Sequence, residues 1–374
     1  MTIVLRSAWE RAPEQGEYRY GGTVMRPLLW VLAASATVAA CSPSDPDRSA
    51  AESTPVAASV TTVPTTSTTT APTTTAPATT TTTTAPVQLS GVFDDVAAAA
   101  QLGPVPDDVP LGGSAYTEPA LYDQGCHAGV GAVTPILCEF GDLTSDTVIV
   151  FTGDSHAAQW FGALEVAART NGWKLVSMTK TSCPAADVTT LRREDGARDG
   201  AELEYPECNE FRHNGWKTIR DLAPDLVIFP MLTRYKQTNG SGLEGWRAGL
   251  GRSIANVSGP GTKVLIIGET PKTNGADIPP CIRANRNDVS RCANARSAAE
   301  FPKKIAMFEK VAAEHGATFV NPVDWFCTAD VCPVLINGRI VYRDYNHMSD
   351  QFSRYRAPQI AAAIEQALAG PDAF

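Results

Sequence analysis

The feature that most constrains the fold is a run of apolar, β-branched residues that ends in a turn. Val148–Phe151 is followed closely by Gly153–His156, which reads Gly-Asp-Ser-His, and then by a helical pattern. Such a run is typical of a buried strand that turns sharply into a helix. The turn leaves the hydroxyl of Ser155 exposed and sets its backbone N–H near the positive end of the helix. Because the same N–H can help to hold an oxyanion, this position suits an acyl-transfer nucleophile.

A second motif, Asp344–His347, lies near the C-terminus and supplies the partners that a serine nucleophile needs. A serine hydroxyl is a weak nucleophile without a base, and the base is oriented by a third group. Asp344 and His347 are three residues apart, so one helical turn would place them on the same side of the chain. We predict that His347 takes the proton of Ser155 while Asp344 fixes the tautomer of His347. Either motif alone is more often a chance match or a surface polar pair, and their occurrence together favours catalysis.

The C-terminal two thirds of the chain alternates apolar runs with helical patterns. This alternation predicts a mostly parallel sheet with helices on both faces. Ligands bind such sheets beyond the carboxyl ends of the strands, where Gly153–Ser155, Leu232–Arg234 and Glu269–Pro271 fall. The pair Asn337-Gly338 predicts a β-hairpin over Val334–Tyr342. The predicted strands are 147–152, 173–178, 225–230, 263–268 and 317–320, and the predicted helices are 156–170, 208–221, 243–256, 299–315 and 350–369.

Several blocks of the sequence carry a resemblance to a known family. They are Val148–Ala157, Thr181–Pro184, Ala223–Ile228, Ile267–Pro271, Cys332–Val334 and Tyr342–Ser349. With these blocks the chain resembles an SGNH-type domain, a family of serine esterases and acyltransferases with a flavodoxin-like, three-layer α/β/α fold. It is most similar to the domains that other bacteria fuse to membrane O-acyltransferases of envelope glycans. The resemblance spans about 120–370 and implies that Ser155, Asp344 and His347 form a catalytic triad.

The chain departs from the wider family in the groups that donate to the oxyanion. Typical members place a Gly in a second block and an Asn in a third. The corresponding segments here, 179–182 and 230–235, contain neither residue. Besides the N–H of the nucleophile, the candidates are backbone groups near Ser182 and the side chains of Thr233 and Arg234. For Arg234 a surface salt bridge is the competing interpretation.

The N-terminal segment predicts export and lipid attachment. Met25-Arg26-Pro27 precedes thirteen uncharged residues, Leu28 to Ala40, and then Cys41. A basic start, a short apolar run and small residues are typical of a secretory signal, here over 25–41. Thirteen helical residues rise about 20 Å, which is too short for a hydrocarbon layer of about 30 Å.

The residues before Cys41 resemble a bacterial lipobox, so we expect lipidation of Cys41, with ordinary cleavage and a free cysteine as the alternative. Residues 1–24 precede this signal, and we expect translation to start at Met25.

A stalk is predicted between the anchor and the domain. Residues 53–93 contain no charged side chain, and 61–86 are mostly Thr with Pro and Ala. Such a segment has little to bury and cannot offset its ordering entropy, and Thr/Pro-rich tracts are typical of extended stalks. We predict a disordered tether over 42–93 that holds the domain at 94–374 away from the outer face of the cytoplasmic membrane. The lead-in at 88–120 is expected to lie over the domain as a strap.

Cysteine usage agrees with export. The chain has nine cysteines, and removal of Cys41 leaves an even number, which implies disulfides in an exported domain. Eight cysteines allow about 105 connectivities, and clustering along the chain favours sequential pairs, each worth about 2–4 kcal/mol. A zinc site is the weaker alternative, because no Cys-x-x-Cys pair exists and His127 and His213 are better explained as core or surface histidines. The predicted pairs are Cys126–Cys138, Cys183–Cys208, Cys281–Cys292 and Cys327–Cys332.

Composition limits the partners. The net charge of −9 and the lack of a basic cluster argue against nucleic acid, and no nucleotide fingerprint is present, so no cofactor or metal is predicted. Two functions of different classes remain. The first is serine-dependent transfer or removal of an acyl group, expected to be acetyl, on a cell-envelope polysaccharide, with a separate membrane acyltransferase as one source of the acyl group. The second is a non-catalytic, glycan-binding envelope lipoprotein. The intact serine, histidine and aspartate favour the enzyme.

Overall fold

The computed structural model describes residues 88–194, 200–238 and 241–370. The predicted signal peptide, Cys41 and the stalk up to residue 87 lie outside the described residues. All described residues belong to one unit of the chain, Thr80–Phe374. Within them, no helix is both long enough and apolar enough to cross a membrane.

The described elements alternate between strands and helices over most of their length. The strands are β1 His127–Ala128, β2 Cys138–Gly141, β3 Val148–Gly153, β4 Lys174–Lys180, β5 Leu191–Arg193, β6 Glu202–Glu204, β7 Leu226–Pro230, β8 Lys263–Ile267, β9 Asn294–Ala295, β10 Thr318–Val320, β11 Val331–Cys332, β12 Leu335–Ile336 and β13 Arg339–Ile340. The helices are α1 Asp94–Ala99, α2 Ser155–Ala158, α3 Phe161–Asn171, α4 Pro206–Leu222, α5 Gly242–Val257, α6 Ile278–Ala284, α7 Arg296–Ala299, α8 Pro302–His315, α9 Asp350–Tyr355 and α10 Ala357–Ala369.

The central sheet has the strand order β1-β4-β3-β7-β8-β10, with neighbouring strands parallel. Five of these strands, β3, β4, β7, β8 and β10, are the predicted apolar runs. Adjacent residues of one strand enter opposite layers: Ile149 and Phe151 pack with α3 and α10, whereas Val150 packs with α4 and α5. Strands that are buried on both faces consist of continuous apolar residues, which is why these strands could be predicted from the sequence. The predicted three-layer α/β/α class is confirmed.

The outer edge of the sheet was not predicted. β2 pairs antiparallel with β4 along Lys174–Ser177, and β1 pairs parallel with the last residues of the same strand, Thr179 and Lys180. β2 is only four residues long, and none of its residues is fully buried. A short, half-exposed edge strand gives no continuous apolar run, so its sequence carries little signal.

Two predicted helices are divided in the structure. The prediction over 156–170 becomes α2 and α3, and the prediction over 350–369 becomes α9 and α10 with Arg356 between them. Pro358 occupies the first turn of α10, and Pro302 opens α8 three residues later than predicted. Proline lacks an N–H and clashes with the preceding turn, so it is tolerated at the start of a helix and interrupts its interior.

The predicted hairpin and disulfides are present. β12 and β13 pair antiparallel around Asn337 and Gly338, whose φ angles of 46° and 71° are those of a type I′ turn. Each of the predicted cysteine pairs is joined with an S–S distance of 2.00–2.07 Å, so none of these eight cysteines is available to bind zinc. The bonds are Cys126–Cys138, Cys183–Cys208, Cys281–Cys292 and Cys327–Cys332.

Residues 88–93 pack against the domain. The indole of Trp325 donates to the carbonyl oxygen of Leu89 at 2.7 Å, and the N–H of Gly91 donates to Asp324 Oδ2 at 2.8 Å. The ring of Phe93 is buried in the core beside α1. The predicted disordered tether over 42–93 is therefore corrected at its C-terminal end, because residues 88–93 pack on the domain.

Candidate active site

A cleft of about 410 Å³ opens at the carboxyl ends of the central strands. Ser155 follows β3, Ser182 follows β4 and Arg234 follows β7, and all three line the cleft. His347 reaches the same cleft from the loop before α9. The cleft therefore occupies the position where parallel sheets bind ligands.

Ser155, His347 and Asp344 form a continuous hydrogen-bonded chain. His347 Nε2 lies 2.8 Å from Ser155 Oγ, and His347 Nδ1 lies 2.8 Å from Asp344 Oδ2. An ionised carboxylate only accepts hydrogen bonds, so the ring proton of neutral His347 belongs on Nδ1. Nε2 is then an acceptor for the hydroxyl of Ser155, which is the arrangement that a general base requires.

The loop that holds Asp344 and His347 is a turn and not the helical turn suggested by their spacing. Asp344 Oδ1 accepts hydrogen bonds from the backbone N–H groups of Asn346 and His347, both at 2.6 Å. An aspartate that binds the backbone two and three residues ahead stabilises a turn without helical dihedrals. One carboxylate therefore shapes the loop with one oxygen and holds the imidazole with the other.

The electrostatics of Asp344 favour its charged form. Burial raises the pKa of this carboxyl, but the hydrogen bonds from the His347 side chain and from two backbone N–H groups outweigh burial, and the pKa lies below its usual value. Asp344 therefore stays negative at neutral pH, where it can stabilise an imidazolium at His347.

Asp154 caps the short helix α2 directly before the serine. Its Oδ1 accepts from the N–H groups of His156 at 2.8 Å and Ala157 at 3.3 Å. Gly153 has a φ of 144°, and a Cβ there would lie 2.9 Å from the Cβ of Ala157, so this tight turn requires glycine. Burial raises the pKa of Asp154 to about 6, against hydrogen bonds that lower it. Tyr235 lies beside the carboxylate and interacts with it, although Asp154 Oδ2 receives no hydrogen bond of ordinary geometry from a described residue.

His156, the residue after the serine, is buried and packs on the loop that holds His347. Its ring centroid lies 4.7 Å from that of His347. Gln159 Oε1 accepts from the N–H of Met348 at 2.8 Å, so the Gln159 amide nitrogen faces His156 Nδ1, at 3.4 Å. Nδ1 must then be an acceptor, which places the proton of neutral His156 on Nε2. Burial, followed by the nearby cationic groups, lowers the pKa of His156 well below 6.5, so the ring is neutral.

Two backbone N–H groups in the cleft are free to donate to an oxyanion. Neither the N–H of Ser155 nor that of Ser182 bonds to another described residue. Ser182 has a φ of 54°, in the left-handed region that favours glycine. Its loop is held from both sides, because Tyr205 Oη donates to the carbonyl oxygen of Thr181 at 2.7 Å and Cys183 is bonded to Cys208 in α4.

The two side chains predicted as further oxyanion donors, Thr233 and Arg234, have different surroundings in the structure. Both the N–H and the hydroxyl of Thr233 donate to Glu269 Oε1, so Thr233 has no donor left for an oxyanion, and that prediction is corrected. Arg234 lines the cleft, with its Nε 3.4 Å from Glu269 Oε2. The salt bridge predicted as its alternative exists, but its carboxylate is buried and only 3% exposed. Lys304 from α8 donates to the same carboxylate at 2.8 Å.

A larger groove of about 1330 Å³ lies elsewhere, between α3 and α10. Its lining includes Val166, Tyr355 and Ala361 and contains neither Ser155 nor His347. The smaller cleft, and not this larger groove, contains the hydrogen-bonded serine and histidine and is therefore the candidate active site.

The chain belongs to the SGNH family. The family model described as the SGNH domain fused to AT3 domains matches residues 125–362, which include the cleft and the serine, aspartate and histidine motifs. SGNH-type domains are hydrolases and acyltransferases, so membership supports an enzyme that transfers or hydrolyses acyl groups. The four disulfides agree with an exported protein. No curated protein sequence matches the chain.

Solved structures share parts of the fold. The periplasmic domain of a lipopolysaccharide acetyltransferase from Salmonella ser. Paratyphi A is 17% identical, with a TM-score of 0.48, over 68% of this chain and 99% of that one. A carbohydrate esterase family 2 enzyme with a carbohydrate binding domain, from Corynascus thermopiles (Myceliophthora fergusii), is 13% identical, with a TM-score of 0.36, over 60% and 67%. A GDSL-like lipase from Bacteroides thetaiotaomicron is 15% identical, with a TM-score of 0.32, over 59% and 87%. These are likenesses of fold and assign no substrate to this chain.

Sequence reasoning missed the groups that support the site. The sequence pattern places Glu269 at a strand end and gives it no role, yet its carboxylate contacts Thr233, Arg234 and Lys304. Its position after β8, at the same edge as the serine, was the available signal. Lys304 comes from α8, far along the chain, and no local pattern pointed to it.

Proposed function

We propose that this domain catalyses serine-dependent O-acyl transfer to, or removal from, a cell-envelope glycan, with acetyl as the expected acyl group. Ser155 is the nucleophile, His347 the general base and acid, and Asp344 the group that orients His347. The observation that carries the proposal is the hydrogen-bonded chain with its two distances of 2.8 Å. Family membership supports acyl chemistry, and the fusion of related domains to AT3 domains supports an envelope glycan as the partner.

In the first step Ser155 Oγ attacks the carbonyl carbon of the acyl donor, and its proton passes to His347 Nε2. The carbonyl oxygen becomes an oxyanion, which the free N–H groups of Ser155 and Ser182 can hold. Asp344 stabilises the imidazolium without taking the proton itself. Collapse of the tetrahedral intermediate expels the alkoxide of the donor, which takes the proton back from His347 and leaves an acyl-serine.

In the second step an acceptor hydroxyl gives its proton to His347 Nε2 and attacks the acyl-serine. The acyl–oxygen bond to Ser155 breaks, and Ser155 Oγ regains the proton from His347. A sugar hydroxyl as acceptor gives transfer, and water gives hydrolysis. The same residues perform both reactions, so the difference lies in which acceptor occupies the cleft.

The decisive variant is Ser155→Ala, measured with p-nitrophenyl acetate in the presence and absence of a glycan acceptor. We expect turnover to fall by roughly 10⁴-fold or more while the circular dichroism spectrum is unchanged, because loss of one triad member removes most of the catalysis. Ser114→Ala is the control, since it removes the hydroxyl of an exposed serine outside the cleft. Full activity of folded Ser155→Ala would refute the triad. Glycan binding by a wild-type protein without any turnover would favour the non-catalytic alternative.

We further propose that the mature protein begins at a lipidated Cys41 and is tethered by 42–87 to the outer face of the cytoplasmic membrane. The short apolar run before Cys41 and the uncharged Thr/Pro tract support this. A separate membrane acyltransferase is the proposed source of the acyl group. Cys41→Ser should release the domain from the membrane fraction, and a substituted protein that stays bound after a salt wash would place the anchor elsewhere.

A further inference from the structure

We propose that one wall of the cleft, formed by Arg234, Lys236 and Arg193, is a subsite for a carboxylate or phosphate group of the substrate. The inference rests on the proposed function and narrows the range of substrates. An SGNH-type reaction does not itself require a charged substrate, whereas this subsite would select one. The three cations share the cleft with the reactive serine and histidine. We call them the cationic wall.

Arg234 is the fixed part of the cationic wall. Its Nε faces Glu269 Oε2 at 3.4 Å, and its guanidinium carbon lies 5.8 Å from the ring centre of Phe301. Glu269 is itself fixed, because Thr233 and Lys304 bind its other oxygen. This contact with Glu269 is an ion pair without hydrogen-bond geometry, and the Arg234 guanidinium donates no hydrogen bond to a described residue. A guanidinium held in place with unused donors is suited to bind carboxylate or phosphate.

The charges of the cationic wall are not balanced by the described carboxylates. Glu269 is shared by Arg234 and Lys304, at 3.4 and 2.8 Å. Glu202 is shared by Lys236 and Arg193, at 2.6 and 3.8 Å. Each of these two carboxylates pairs with two cations, so positive charges outnumber negative ones within these described ion pairs. A local positive surface in a chain of net charge −9 concentrates anions at this cleft.

Two parts of the substrate can carry the anionic group. One is the acceptor sugar, as in a hexuronic acid or a sugar phosphate. The other is the acyl group, as in a dicarboxylic half-ester such as succinyl. Both present the same chemistry to Arg234, so each is tested with a charged compound and a neutral one of similar size.

The acceptor is tested by acetyl transfer from p-nitrophenyl acetate to methyl glucuronide or methyl glucoside. The acyl group is tested with mono-p-nitrophenyl succinate against p-nitrophenyl pentanoate. We expect the charged compound to be preferred by about 10–100-fold in kcat/KM in one of the two pairs, the effect of one or two charge-assisted hydrogen bonds. The preference should weaken as salt is added, because the wall is open to solvent.

Three variants test which residues cause the preference for the charged compound. Arg234→Gln should abolish the preference, and Arg234→Lys should restore part of it by returning the charge. Lys236→Gln should reduce it by about 2–5-fold, since an exposed charge contributes less. Lys217→Gln is the matched control, because Lys217 is similarly exposed and also pairs with a carboxylate at 2.6 Å but lies on α4 outside the cleft.

Direct binding separates this inference from the proposed function. Calorimetry with glucuronate, glucose and succinate on Ser155→Ala requires no turnover. Binding of glucuronate or succinate at least about 10-fold tighter than glucose, lost in the double variant with Arg234→Gln, supports the cationic wall even if the triad proposal fails. Equal binding of charged and neutral compounds, together with equal kcat/KM in both pairs, overturns it. So does a charge preference that survives in folded Arg234→Gln.

Discussion

Two aspartates of the candidate site, the buried Asp154 and the partly exposed Asp344, have pKa values shifted in opposite directions. Asp154 and Asp344 each cap backbone N–H groups two and three residues ahead through Oδ1. Asp344 also binds the imidazole of His347 through Oδ2, whereas Asp154 Oδ2 has no hydrogen bond of ordinary geometry from a described residue. Burial consequently raises the pKa of Asp154, while hydrogen bonds overcome burial and lower that of Asp344. The local motif is the same, but the two carboxyls differ in burial and in the partner of the second oxygen.

The largest expected effect on activity comes from His347→Ala, which removes the imidazole that distinguishes Asp344 from Asp154. It removes the general base, and it leaves Asp344 as a turn-capping acid like Asp154. We expect turnover of p-nitrophenyl acetate to fall by roughly 10⁴–10⁶-fold, nearly as far as in Ser155→Ala, because triad members act as a unit. The double variant should be no worse than either single variant, and additive losses would show that the two residues act separately.

Asp344→Asn removes the charge and keeps the shape of the side chain. We expect a loss of about 10²–10⁴-fold in kcat, because an asparagine can present its amide N–H₂ to Nδ1 and favour the wrong tautomer of His347. Steady-state kinetics of the folded variant with p-nitrophenyl acetate measure this loss. A folded variant with unchanged kcat would remove Asp344 from the mechanism.

Asp154→Asn should act on stability. The folded pKa of about 6 lies above the ordinary value of 3.8, so the folded state binds the proton more tightly and the native protein loses stability as pH rises from about 4 to 6. Asparagine carries no charge and is also a good N-cap. We expect the variant to be more stable than the wild type by about 2–3 kcal/mol at pH 7, with the difference disappearing below about pH 4.

Urea unfolding at pH 4 and pH 7 measures this effect. The contribution of Asp344 has the opposite sign: its lowered pKa stabilises the folded state above its ordinary pKa, and that contribution is lost as pH falls through the folded pKa. Asp344→Asn should therefore destabilise the protein at pH 7. If both variants changed the free energy of unfolding at pH 7 equally and in the same direction, the opposite pKa shifts assigned to Asp154 and Asp344 would be wrong.

The sequence by itself determined the features that depend on neighbouring residues. The apolar runs of β3 and β7, the turn at Ser155 and the Asn337-Gly338 hairpin are local patterns with a physical period or a required φ. The disulfides also belong here, because each pair is at most 25 residues apart and closes a short loop. The Ser, His and Asp residues were identified because they lie in two short motifs with chemically restricted composition.

Only the tertiary structure decided the surroundings of those motifs. Thr233 and Arg234 are adjacent in sequence, yet Glu269 occupies the donors of Thr233 and leaves the guanidinium of Arg234 beside the cleft. Glu269 can contact both residues because the sheet brings the ends of β7 and β8 together and because Lys304 binds its carboxylate. Contacts between residues far apart in the chain leave no period in the sequence, because they follow from packing of the whole core.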